Sequence, residues 1–168
     1  IEFITLLILV KVGFSGVSFA YYLEKHFGKK NMGMLFFSSA YALSGFMAAY
    51  QWNIMWLDVV ALAPLVIWAL EELIEKGKGT MYCLLLSLSI FTNFYLSIML
   101  CIFLVLYFVA VVIWKPWKVK WRSSLLFGWY SLLAGGMSAV MLLPVYFALS
   151  GTEFNEFNFP ETVKWYMN

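Results

Sequence analysis

Long apolar runs, several of them about the length of a membrane-spanning helix, constrain this chain more than any other feature. A helix needs about 20 predominantly apolar residues to cross the hydrocarbon core of a bilayer. Only 12% of the residues are charged and 64% are hydrophobic, too little polar material to coat a soluble globule. The sequence therefore predicts an all-α, polytopic transmembrane helix bundle. Its apolar runs lie at about 3–23, 32–50, 59–70, 80–114 and 125–149.

The basic residues mark one side of the predicted membrane. Nine of the 11 Lys and Arg residues fall in three clusters between apolar runs. The positive-inside rule places these clusters on the cytoplasmic side and the segment around Asp58 outside. The small net charge of +2 and the short clusters argue against nucleic acid as a partner. The clusters are Lys25, Lys29 and Lys30; Lys76 and Lys78; and Lys115, Lys118, Lys120 and Arg122.

The apolar run 80–114 admits two interpretations. If both flanking loops are cytoplasmic, the run must cross the membrane twice, with a reversal near Thr92 to Tyr95. The alternative is one long tilted helix, with the 71–78 loop outside. We favour the reversal because Thr92 and Asn93 interrupt the run near its middle. This interpretation gives about six membrane segments, two of them short.

The ends of the chain bear on its domain organisation. The chain begins with Ile1 inside an apolar run, so we expect residues 1–149 to be a transmembrane helical region within a larger domain. Residues 150–168 are acidic and aromatic, and we expect them to begin an extracytoplasmic loop. The acidic residues of this tail are Glu153, Glu156 and Glu161.

Two charged residues stand apart from the basic clusters, and charges at membrane depth usually have a use. Lys11 lies roughly 14 Å into the first span at 1.5 Å per residue. It either snorkels or pairs within the bundle, or it awaits an anionic lipid head group. Asp58 lies where the outer loop meets the third span. It either caps that helix or faces an external cavity, where it could act as a general base, bind sugar hydroxyls or bind a metal ion.

Aromatic and amide side chains accompany Asp58 on the predicted outer side. Trp52 and Trp56 are either interfacial anchors or flat surfaces on which a sugar ring stacks. Asn53 offers an amide for sugar or phosphate. Asn93 and Tyr95, at the predicted reversal, either form a capped turn or face the same cavity, because a polar break in a membrane helix needs protein or water around it.

Other polar residues carry weaker signals. Cys83 and Cys101 lie in apolar runs without a Cys/His cluster, so no metal site is supported, although a divalent metal stays open as a cofactor. His26 is expected to be solvated in a basic loop. The charged run from Glu71 to Lys78 is expected to be a solvated helix end. Nucleotide-binding and common hydrolase motifs are absent from the sequence.

The order and spacing of several short motifs resemble those of the bacterial YfhO family of multipass membrane proteins. The likeness extends over most of the chain, and it depends on order and spacing because no single motif is highly discriminating. The motifs are Asn53-Ile54-Met55-Trp56-Leu57-Asp58, Pro64-Leu65, Glu72-Leu73-Ile74, Gly77-Lys78, Ser89, Asn93-Phe94-Tyr95, the Phe103–Tyr107 region, Leu132-Leu133-Ala134-Gly135-Gly136 and Leu143-Pro144-Val145-Tyr146.

The resemblance implies a fold and activity similar to those of the GT-C glycosyltransferases. These membrane enzymes move a sugar from a polyprenyl-phosphate carrier to an acceptor outside the cell membrane, here an envelope polymer such as lipoteichoic acid. It implies a bacterial cell membrane location and a catalytic acidic residue in a first external loop, expected upstream of Ile1. No catalytic residue is therefore assigned. Lys11 would neutralise the leaving phosphate, while Asp58, Asn53, Asn93 and Tyr95 would bind sugar or acceptor.

Two other classes of function remain open. A lipid-linked-sugar transporter or flippase would use a similar polar cavity without breaking a bond. A non-catalytic membrane protein of envelope assembly would need no such chemistry.

Overall fold

The computed structural model describes residues 2–28 and 30–151, and these residues form eight helices and no strand. The predicted all-helical membrane bundle is confirmed. The helices are α1 (Glu2–Phe27), α2 (Met32–Ala42), α3 (Gly45–Tyr50), α4 (Ile54–Lys76), α5 (Thr80–Thr92), α6 (Phe94–Val112), α7 (Trp117–Met137) and α8 (Ala139–Ser150).

Four stretches in the described part of the chain are long and apolar enough to cross a membrane as continuous or nearly continuous helices. They are Glu2–Phe27, Met32–Tyr50, Ile54–Lys76 and Phe94–Val112. α5 is a shorter apolar helix of 13 residues. The prediction that both halves of run 80–114 are short is therefore wrong for α6, because the reversal lies closer to the start of the run than to its end.

α5 and α6 form an antiparallel hairpin. Tyr82, near the start of α5, and Phe108, near the end of α6, both contact the ring of Phe127, with centroids 5.9 and 4.4 Å away. At the other end of the hairpin, the hydroxyl oxygens of Ser89 and Ser97 lie 3.0 Å apart. The predicted reversal is confirmed.

Asn93 makes the reversal between α5 and α6. Its backbone is extended, and its side-chain oxygen accepts a hydrogen bond of 3.0 Å from the amide of Leu96. The side chain thus satisfies one of the free N–H groups at the start of α6. Asn93 therefore forms a capped turn, which is one of the two roles predicted for it.

α4 lies at the centre of the bundle and contributes many of its most buried side chains. Leu57, Val66, Ala69, Leu70 and Leu73 are fully buried. Packing of α1, α5, α6 and α7 around this helix produces the core.

Pro64 lies inside α4, where it lacks the N–H that would bond the carbonyl of Val60. The hydroxyl of Tyr41 on α2 donates a 2.7 Å hydrogen bond to that carbonyl instead. A proline in a membrane helix is tolerated when a neighbour satisfies the freed backbone group. α2 therefore supplies the bond that α4 lacks.

Several predicted boundaries are wrong. The third span is longer than 59–70, because α4 begins at Ile54 and continues to Lys76. The basic segment Lys115–Arg122 is not all loop, since α7 begins at Trp117. The predicted last span 125–149 is divided after Met137, where α7 ends.

The chain divides into two compact units, Ile1–Ser138 and Ala139–Asn168. α8 belongs to the second unit, contains Pro144 and exposes its large apolar side chains. The predicted extracytoplasmic loop, 150–168, lies outside the described residues from position 152 onward.

Candidate functional site

Lys11 and Asp58, the two charged exceptions in the sequence, form an ion pair between α1 and α4. The Lys11 Nζ lies 2.7 Å from Asp58 Oδ1 and 2.8 Å from Oδ2, and it donates a 3.1 Å hydrogen bond to the carbonyl of Ile54. The side chains of Lys11 and Asp58 are 19% and 32% exposed. Lys11 is therefore surrounded by acceptors from this chain, which supports the pairing interpretation.

Asp58 does not cap α4. The helix begins at Ile54, so Asp58 lies within it, and Asn53 is the capping position. The capping interpretation of Asp58 is wrong because its carboxylate is directed to Lys11. The side chain of Asn53 forms no capping hydrogen bond either.

An aromatic cluster lies at the same end of α4. The indole of Trp56 stacks on Tyr95 with centroids 6.2 Å apart and also contacts Tyr50 at 5.3 Å. The Tyr95 side chain is half exposed. The structure therefore brings the outer loop and the α5–α6 reversal together, as the sequence predicts.

Trp52 is separate from this cluster. Its indole is 72% exposed and donates a 3.1 Å hydrogen bond to the carbonyl of Ala49. Asn93 commits its side-chain oxygen to the cap of α6. Of the predicted site residues, Lys11 pairs with Asp58 and Trp56 stacks on Tyr95. Trp52 and Asn93 make local hydrogen bonds instead.

Glu71 is a second polar centre, at the other end of α4, that the sequence interpretation missed. Its carboxylate accepts a 3.3 Å hydrogen bond from the Tyr22 hydroxyl and a short one from the Tyr107 hydroxyl. The Nδ1 of His26 lies 3.0 Å from both carboxylate oxygens. The expectation that Glu71 is simply solvated is wrong, because its side chain is only 16% exposed. His26 is exposed, as expected, and it also contacts the Glu71 carboxylate.

A cavity of about 180 Å³ adjoins Glu71. Residues from α1, α4, α6 and the α6–α7 connection line it, so three predicted cytoplasmic segments meet at one end of the bundle, as the charge pattern indicates. The lining residues are Lys25, His26, Glu71, Ile74, Glu75, Tyr107, Val111 and Lys115.

Within residues 2–28 and 30–151, no group of three His, Cys, Asp or Glu side chains is arranged to hold a metal ion. Cys83 and Cys101 are both free thiols. The Lys11–Asp58 pair and the Glu71 cluster each contain a partly buried carboxylate.

Comparison with known proteins identifies one family. A family model described as "Bacterial membrane protein YfhO" matches residues 2–167, nearly the whole chain. Searches of curated proteins and of solved structures found no match.

Proposed function

The chain belongs to the YfhO family of bacterial membrane proteins, and from this premise we propose that it is a glycosyltransferase of the bacterial cell membrane. Its several long apolar helices make it a multi-pass membrane protein. In the proposal, a sugar passes from a polyprenyl-phosphate carrier to an extracytoplasmic envelope polymer such as lipoteichoic acid. The acceptor hydroxyl loses its proton to a carboxylate, attacks the anomeric carbon, and the polyprenyl phosphate leaves.

The Lys11–Asp58 pair is the observation that carries this proposal. It places a fixed, partly exposed carboxylate at the predicted external end of a membrane bundle. A charged side chain within a membrane-spanning helix is energetically costly, and such a residue usually marks a ligand pathway. Asp58 retains lone pairs beyond those that Lys11 occupies, so it can accept hydrogen bonds from sugar hydroxyls.

The aromatic cluster supports a sugar ligand. The stacked pair Trp56 and Tyr95 presents a half-exposed ring face at the same end of α4 as Asp58. Aromatic faces pack well against the apolar side of a sugar ring. Lys11 would act first by orienting Asp58. It would contact the leaving phosphate only if Asp58 released Lys11 and bound a sugar hydroxyl instead.

The test compares variants in cells that lack the native gene. Asp58→Asn and Lys11→Met are expressed to equal levels with the wild-type protein, and the sugar-to-phosphate ratio of extracted envelope polymer is measured. We expect Asp58→Asn to lower the ratio about tenfold or more, as loss of a charged hydrogen bond to substrate would. The control is Glu72→Gln, which removes a carboxylate from the exposed Glu72–Lys76 pair on the same helix.

Two outcomes would contradict the proposal. An unchanged ratio in cells without the gene would remove the glycosyltransferase assignment. A ratio that falls without the gene but is fully restored by Asp58→Asn would remove the assignment of Asp58. A transporter is distinguished with purified protein in liposomes, where an enzyme transfers labelled sugar to added polymer and a transporter does not.

A further inference from the structure

The start of α7 carries three cations that have no ion-pair partner within residues 2–28 and 30–151. They are Lys118, Lys120 and Arg122. The sequence contains no Asp or Glu between Glu75 and Glu153, and the tail that begins near Glu153 is predicted on the other side of the membrane. Among the described helices, only α1 and α4 contain carboxylates that could neutralise these cations.

A cavity of about 200 Å³ lies between the end of α4 and the start of α7, and we call it the α4–α7 cavity. Lys118 and Arg122 share its wall with a single carboxylate, Glu75, so the charges on the wall sum to one positive unit. The cavity beside Glu71 differs, because two lysines and two carboxylates line it and their charges balance. The local excess of positive charge therefore favours an anion at the α4–α7 cavity.

Gly77 gives Arg122 room at the end of α4. This glycine has a left-handed backbone with φ 72°, and a Cβ added there would lie 2.9 Å from Nη2 of Arg122. The guanidinium therefore lies beside the space that a side chain at position 77 would fill. Its planar set of N–H donors matches the oxygens of a phosphate group, which it can bind through two parallel hydrogen bonds. Arg122 thus presents a phosphate-binding group at the wall of the α4–α7 cavity.

Two exposed tryptophans accompany these cations. Trp117 and Trp121 are four residues apart on α7, and so are Lys118 and Arg122, so each pair lies on one side of the helix and the two sides are adjacent. Tryptophan rings at the border of a membrane span usually lie among lipid head groups. The predicted apolar run begins at about 125, soon after this segment. An aromatic strip and a basic strip therefore lie side by side at the predicted cytoplasmic border of the membrane.

We propose that the start of α7 binds the phosphate group of an anionic glycerophospholipid from the cytoplasmic leaflet. Lys118 and Arg122 hold the phosphate at the α4–α7 cavity, Lys120 adds attraction, and Trp117 and Trp121 lie among the neighbouring head groups. Basic pockets between membrane helices on the cytoplasmic side are typical sites for such lipids. The exposed tryptophans favour a lipid over a soluble anion, which would gain nothing from them. The proposal does not depend on the sugar-transfer function.

The test measures thermal unfolding of the purified full chain in detergent micelles. Phosphatidylglycerol, phosphatidylcholine or inorganic phosphate is titrated into separate samples, because a ligand of the folded state raises the unfolding midpoint. The test variant is Lys118→Gln with Arg122→Gln. The matched control is Lys25→Gln with Lys30→Gln, which removes the same formal charge on the same predicted side of the membrane from residues that do not line the α4–α7 cavity.

We expect phosphatidylglycerol to raise the midpoint of the wild-type chain and of the control more than phosphatidylcholine does. The apparent affinity of the test variant for phosphatidylglycerol should fall about tenfold or more, because each basic side chain near an anionic lipid surface contributes substantially. The control should keep an affinity close to that of the wild-type chain.

Four outcomes would overturn the proposal. Equal protection by the two lipids would show that the charge of the head group does not matter. Equal protection by inorganic phosphate at the same concentration would identify a soluble anion as the ligand. An unchanged affinity in the test variant would leave these cations a role in membrane orientation alone. Equal loss of affinity in the test and control variants would show that binding depends on overall charge.

Lys118→Gln alone provides a second variant if the double substitution does not fold. Lys118 is exposed in the first turn of α7, so its replacement leaves the packed core intact. Lys118→Arg should retain affinity for phosphatidylglycerol, because it keeps the charge, whereas Lys118→Gln should weaken it. Equal affinity in these two single variants would also overturn the proposal.

Discussion

Two carboxylates on α4, Asp58 and Glu71, are both held by α1 but by different chemistry. Asp58 receives a single cation, Lys11, and keeps 32% of its side chain exposed. Glu71 receives two hydroxyl groups and an imidazole, and it is 16% exposed. The two contacts lie about 20 Å apart along α4, at 1.5 Å per residue.

The difference separates a more exposed carboxylate held by one cation from a more enclosed carboxylate held by three side chains. Asp58 has exposed carboxylate surface through which a ligand can compete with Lys11. Glu71 is enclosed by two hydroxyl groups and an imidazole, and these groups connect α1, α4 and α6. In the proposed function the Asp58 end binds the ligand, whereas Glu71 connects α1, α4 and α6.

Breaking the ion pair should have the largest effect on stability. Lys11→Met leaves Asp58 without its cation, and we expect the free energy of unfolding to fall by about 3 kcal/mol, the low end for buried pairs because this pair is partly exposed. Unfolding by titration with a denaturing detergent measures this loss of free energy. The exchange Lys11→Asp with Asp58→Lys should recover part of the loss.

The control for that prediction is Lys76→Met, which breaks the exposed Glu72–Lys76 pair. An exposed pair contributes about 0–1 kcal/mol, so the control should change stability little. An equal loss in the two variants would mean that the Lys11–Asp58 pair stabilises the protein no more than the exposed Glu72–Lys76 pair does.

Removing the hydrogen-bond acceptor at the other end should have an intermediate effect. Glu71→Leu leaves the Tyr22 and Tyr107 hydroxyls without their partner, and we expect a loss of about 2 kcal/mol in the same unfolding measurement. Glu71→Gln keeps an accepting oxygen and should lose about half as much. If Glu71→Gln were as damaging as Glu71→Leu, the charge rather than the hydrogen bonds would hold this end.

The middle of α4 should give the smallest effect. Tyr41→Phe removes the hydroxyl that bonds the Val60 carbonyl, and we expect a loss of about 1 kcal/mol. Adding Pro64→Ala restores a backbone N–H for that carbonyl and should cancel the loss. Tyr21→Phe is the control, because its ring contacts Trp68 without a hydrogen bond from its hydroxyl in the described structure. If Pro64→Ala did not restore the lost stability, the Tyr41 hydroxyl would stabilise the protein by some means other than its bond to the Val60 carbonyl.

Hydropathy and charge predicted much of the fold because membrane length and loop charge are local properties of the sequence. The reversal at Asn93 followed from a polar break and the requirement that basic loops share one side. The boundaries of α4 did not follow, because a helix continues beyond the hydrocarbon core into residues as polar as Glu71. The break after Met137 gave no comparable polar signal.

The sequence predicted individual residues of the candidate site but not the contacts between them. Lys11 and Asp58 stood out as isolated charges, yet their pairing depends on the depth and rotation of two helices, which composition does not encode. Glu71 was missed because neighbouring charges in the run to Lys78 made it resemble a solvated helix end. If α4 had been predicted to continue past Leu70, Glu71 would have been recognised as part of a packed helix.

The bond from Tyr41 to the Val60 carbonyl has a consequence for how the protein is made. Synthesis proceeds from the N-terminus, so α2 reaches the bilayer before α4 does. The residue that supplies the hydroxyl is therefore synthesised before the proline-containing helix. The order of helices along the chain thus allows the Val60 carbonyl to find its hydrogen-bond donor as soon as α4 packs against α2.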